Sequence, residues 1–117
     1  RIEFHWDKKI LELVEKIDGD KDALIELIGS LYEGYPDAFE VLPRNTLTLY
    51  AIAVSHLSTR DLERAKRLTR ELLDLLEELS IHMREGRAAS PLPPELRRKA
   101  KAVYEELVEA AAQAVEG

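Results

Sequence analysis

The chain has no cysteine, so it has no disulfide, no thiol nucleophile and no thiolate metal site, and redox conditions leave its compartment unconstrained. It also lacks a basic excess. Its 17 lysines and arginines are outnumbered by 23 aspartates and glutamates, for a net charge of −6 with the two signs interleaved. That opposes a nucleic-acid partner, which calls for a basic stripe. No apolar run is long enough to cross a membrane and no signal peptide opens the chain, so a membrane partner is not expected and the cytoplasm is the default location. Glycine is sparse, at five residues; Gly19 and Gly34 stand alone as turn residues, and no glycine-rich phosphate loop exists. No histidine pair has the helical spacing of a His-Glu-x-x-His zinc motif.

What is present is a globular composition, 45% apolar and 34% charged, in 117 residues. That suits a single domain with a modest core. Helical periodicity is clear in four places. Residues 8–17 form one helix, broken at Asp18-Gly19. Residues 21–34 form a second, with Leu24, Ile28, Leu31 and Tyr32 inward. A third runs from about 59 to 79 under a Ser58 cap, with Asp61 as the capping partner. After a linker over 86–93, Pro94 starts a last helix to about 115. Its stripe is Leu96, Ala100, Val103, Tyr104, Leu107, Ala111 and Ala114.

Other stretches alternate. In RIEFHWD, Ile2, Phe4 and Trp6 share one face and Arg1, Glu3 and His5 the other, whereas a helix through Asp7 would place Glu3 and Asp7 on the apolar side. SIHMR, 80–84, puts Ile81 and Met83 on one face and Ser80, His82 and Arg84 on the other; a helix would turn Ile81 to the polar side. TLTLYAIAV, 46–54, is rich in β-branched and aromatic residues, and AFEVL precedes it across Pro43-Arg44-Asn45, a hairpin connection. The expected order is β-αα-β-β-α-β-α: a ferredoxin-like split βαβ core over 1–85, with a four-stranded antiparallel sheet, followed by the linker and a C-terminal helix over 94–117. The alternative is an all-α helical bundle with 46–57 as a buried helix.

The sheet reading sets the candidate site. Pairing 80–85 antiparallel with 1–6, with Met83 opposite Phe4, puts Arg84 opposite Glu3 and His82 opposite His5. Two imidazoles so placed can share a metal, zinc being the candidate, and His56 at the end of the third strand is the third candidate ligand. The enzyme version is a zinc hydrolase with His5, His56 and His82 as ligands and Glu3 as general base. The plainer readings make His5 and His82 exposed polar residues, His56 a loop hydrogen-bonder and Ser58 a helix cap, with no nucleophile at Ser58 or Thr59. A small-molecule ligand near His5 and His82, or a non-catalytic interaction module acting as monomer or homodimer, are the other functional expectations.

Two resemblances bear on this. Residues 35–68, YPDAFEVLPRNTLTLYAIAVSHLSTRDLERAKRL, resemble the second half of pterin-4a-carbinolamine dehydratases. Pro36 matches the proline of that family's His-His-Pro, and Leu57, Ser58, Asp61 and Ala65 match its helix start. The resemblance implies an α+β fold with paired strands but not the activity: Gly34 and Tyr35 replace the histidine pair, and Ile52 occupies the later catalytic position. PELRRKAKAVYEELVEAAAQAVEG, in turn, is similar in style to de novo designed helices, with proline at its start, glycine at its end and Ala, Glu, Arg and Leu at helical spacing.

Overall fold

The computed structural model describes residues 12, 13, 16, 21–87 and 91–116, and every regular element among them is helical. The helices are α1 Lys21–Gly34, α2 Ala38–Val41, α3 Thr46–Leu57, α4 Leu62–His82 and α5 Pro94–Glu116, with a π-helical turn over Met83–Arg87 after α4. No strand occurs among the described residues. The ferredoxin-like α+β sheet is thereby overturned, as are the paired strands implied by the dehydratase resemblance over 35–68; the all-α arrangement is the one adopted. The expected opening strand, 1–6, lies outside the described residues.

α1 covers the predicted residues and stops where proline removes the next donor: the Tyr35 N–H still reaches the Leu31 carbonyl at 3.2 Å, and Pro36 has no N–H to offer. Its buried face runs along Ala23, Leu27, Ser30 and Leu31, while Leu24 and Ile28 are half-buried. Tyr32, expected inward, is 57% exposed.

Residues 46–54, expected as a central strand, form most of α3. Its buried side chains are Thr46, Tyr50, Ala53, Val54 and Leu57, a spacing of three and four that only a helix aligns. Within α3 only Thr48 and Ser55 are exposed. A helix covered on nearly every side has no polar face to reveal its period, and its Val, Ile, Thr and Tyr content then imitates a strand. AFEVL likewise gives the single turn α2 and no hairpin strand. Pro43 begins the connection to α3, and its carbonyl accepts from both the N–H and the Oγ1 of Thr46, at 3.1 and 2.7 Å.

α4 starts later than expected. Its cap is Asp61, whose carboxylate accepts from the Arg64 N–H at 3.1 Å. Ser58 instead closes α3, its N–H donating to the Val54 carbonyl at 2.8 Å and its Oγ to the Ser55 carbonyl at 3.1 Å. α4 also ends later: residues 80–82 continue it and 83–87 form the π-turn, so the expected strand 80–85 is helical. Ile81 does fall on the outer side, 46% exposed, while Ser80 and His82 are buried. One exposed isoleucine is an ordinary occurrence and does not forbid a helix.

α5 begins at Pro94 as predicted and buries Val103, Leu107, Ala110 and Ala111, with Leu96, Ala100 and Tyr104 at the margins. It packs most extensively on α3 and next on α4. Val103 and Leu107 belong to the same core cluster as Leu27, Tyr50 and Leu72, so α5 is an integral wall of the core. Polar ties hold its N-terminal and central turns: Tyr104 donates to Asn45 Oδ1 at 3.0 Å, the Arg67 guanidinium holds Glu71 and Glu106 at 3.2 Å each, and Lys99 meets Glu78 at 3.2 Å. The Cα radius of gyration, 14.0 Å, is near the roughly 13 Å of a folded domain this long.

Candidate functional site

The end of α4 and the start of α5 enclose a groove of about 450 Å³. α4 and its π-turn contribute Glu78, Ile81, His82 and Glu85, positions three and four apart that share one helical face; the other wall is Pro93, Glu95, Leu96 and Lys99. Lys99 spans the two helices to Glu78. Ile81, Pro93 and Leu96 supply an apolar surface, and three carboxylates face one ammonium group. The π-turn widens the last turn of the helix and carries Glu85, a type of irregularity that recurs at functional sites.

His82 is the unusual member. It is 6% exposed and forms part of the groove wall, yet its Nε2 is closed off from water and makes no hydrogen bond. A neutral imidazole has one donor and one acceptor nitrogen, and leaving a buried polar atom unpaired costs about 1–3 kcal/mol. Ser80 Oγ, two residues earlier, is buried and unpaired as well, though it does not line the groove.

The other predicted site residues do not gather here. His56 lies in the last turn of α3, where its carbonyl accepts from Thr59 Oγ1 and Arg60 Nη1, both at 3.3 Å. The 21 residues of α4 put its two ends roughly 30 Å apart. His56 precedes the first end and His82 forms the last, so the two cannot share an ion. Glu3 and His5 lie outside the described residues. No group of three or more histidine, aspartate or glutamate side chains among the described residues could hold a metal. The metal site and the zinc hydrolase built on His5, His56, His82 and Glu3 therefore fall with the sheet face that was to assemble them. Ser58 and Thr59 direct their hydroxyls into local carbonyls, as turn residues do.

Glu78, His82 and Glu85 were legible as one helical face only if the helix is carried through residue 85. Reading 80–84 as a strand hid that spacing. The opposite wall, PLPPEL, carries no motif of its own and becomes part of a site only through packing.

No helix among the described residues is long and apolar enough to cross a membrane. No family model, no curated protein and no solved structure matches the chain.

Proposed function

We propose that the chain is a helical ligand-binding domain whose α4–α5 groove receives a small organic molecule. The observation that carries this reading is His82, a buried imidazole on the groove wall with Nε2 unpaired. Buried polar atoms are ordinarily satisfied, and an exception calls for a physical cause. Binding that turns the ring toward the groove would let a polar atom of the ligand relieve the cost. The volume, about 450 Å³, lies within the roughly 300–1,000 Å³ of small-molecule pockets. The site differs from the expected sheet-face site in position: it lies between two helices, away from any strand.

The test uses Nile red, a neutral apolar dye whose emission rises out of water. Saturable emission that Ile81→Gln and Leu96→Gln each abolish, with each variant still helical and melting cooperatively, is the expected result. Equal emission from both variants would place the dye elsewhere and overturn the reading.

A further inference from the structure

We infer that the outer face of α1, where it meets α2, docks a basic amphipathic helix of a partner protein. This face is separate from the α4–α5 groove. Ile25, Gly29 and Tyr32 stand four and three residues apart, which aligns them on one side of α1, turned away from the side that carries Leu27 and Leu31 into the core. Ile25 is 69% exposed, and Tyr32 is open to solvent as well. Half-buried Ile28 borders the strip, and the Phe39 ring of α2 extends it, its centroid 5.9 Å from that of Tyr32. α1 is thus apolar on two sides, and the core covers one of them. Gly29 marks the uncovered side independently. A side-chain carbon added there would meet no atom within 4 Å, so the chain's own packing does not require a glycine in mid-helix, where it weakens the helix. Its bare backbone leaves a dent between Ile25 and Tyr32 that a second helix can approach closely.

Charge selects the partner. Tyr32 and Phe39 are each followed in the chain by an exposed glutamate, Glu33 and Glu40, and Asp37 stands in the turn between the two helices. None of these three carboxylates has an ion pair among the described residues. On α4 and α5, by contrast, Lys66, Arg67, Lys99 and Lys101 each hold a carboxylate. From Asp22 to Pro43 the chain holds no lysine, arginine or histidine. The last turn of α1 therefore has no base to offset its dipole, whose negative end adds to the same field. A second copy would set this acidic face against itself, and like charges oppose that pairing. A helix with lysine or arginine beside leucine brings complementary charge and an apolar stripe, and its cations can lie over the exposed Tyr32 ring.

The experiment titrates the full chain, by fluorescence anisotropy and by NMR, with two amphipathic helical peptides of identical leucine pattern, one with lysine on its polar face and one with glutamate. The lysine peptide should bind saturably and shift the amides of Ile25, Gly29, Tyr32 and Phe39, and the glutamate peptide should not bind. Gly29→Gln should abolish that binding while the melting temperature holds or rises, since the new side chain enters open space and favours the helix. The double variant Glu33→Gln/Glu40→Gln should weaken the lysine peptide about tenfold, since each exposed charge pair contributes up to about fivefold. Glu109→Gln/Glu116→Gln, the same charge change on exposed positions of α5, should leave it unchanged. If Gly29→Gln binds as the native chain does, or the α5 pair weakens the peptide as much as the α1–α2 pair, the attraction is one of net charge and the inference is overturned. Sedimentation of the chain alone as a dimer that Gly29→Gln dissociates would assign the face to a second copy, and would overturn it as well.

Discussion

The Tyr50 hydroxyl lies 2.6 Å from Thr69 Oγ1 in the core, and Thr69 Oγ1 donates in turn to the Ala65 carbonyl at 2.8 Å. With its proton committed to Ala65, the threonine oxygen accepts from the phenol. The relay joins α3 to α4 with both side chains fully buried. Tyr50→Phe should cost about 1 kcal/mol, the net worth of one hydrogen bond. Thr69→Val should cost more, about 1–3 kcal/mol, because it leaves the phenol buried without an acceptor. The double variant should cost less than the sum of the two, as urea unfolding will measure.

The same tyrosine sets an alkaline limit. Burial pushes the Tyr50 phenol well above its ordinary value of ~10. A folded value above the unfolded one means that its contribution is fully present below about pH 10 and is lost as pH rises beyond it. Tyr50 should therefore ionise together with unfolding, seen as coincident ultraviolet and circular dichroism transitions. In Tyr50→Phe the drop in stability above pH 10 should be shallower.

Glu71 should respond in the acid range. Burial, followed by the neighbouring Glu106 carboxylate, raises its affinity for a proton, and the Arg67 guanidinium opposes both. The folded state then holds this proton more tightly than the unfolded chain does. The Glu71 contribution is greatest below the ordinary carboxyl range and declines as pH climbs through and above it. Glu71→Gln should have a melting temperature less sensitive to pH between about 4 and 7, with its relative stability improving toward neutrality. A stability of Glu71→Gln relative to the native chain that falls as pH rises over that range would refute the assignment.

Helix capping distinguishes Asp61 from Ser58. Asp61→Ala should lose about 0.5–2 kcal/mol, as removal of an N-cap does, while Ser58→Ala loses only one local side-chain bond at the end of α3 and should lose less. On α5, Leu107→Ala should cost about 2–5 kcal/mol because Leu107 is fully buried. Val108→Ala, on the outer face, should stay within about 0.5 kcal/mol. Denaturant titration of the four variants decides both comparisons.

The parts of the fold that were legible have one wet side. α1 and α5 alternate an apolar stripe with charged residues, and Pro94 and Pro36 punctuate them where the backbone chemistry requires. α3 was misread because burial erased its polar face, and its side chains serve a helix interior as well as a sheet. The end of α4 was misread for the opposite reason. Ile81 looks misplaced on a helix considered alone, and its surroundings become intelligible once Leu96 and Pro93 stand across the groove. A partner supplied by packing leaves no periodic trace in the segment that receives it. Of the candidate site, only His82 was singled out in advance, for a role in a sheet that residues 80–85 do not form.

The most extensive helix pairing, α3 with α5, joins segments roughly fifty residues apart in the chain. Closing such a loop early is entropically expensive, so this topology should fold more slowly than a bundle in which each helix docks on its predecessor. During synthesis on a ribosome, α3 emerges well before the helix that covers it. Until Val103 and Leu107 leave the exit tunnel, its apolar surface lacks the wall that α5 provides, and a stalled or truncated chain exposes to its neighbours a strip that the finished domain hides.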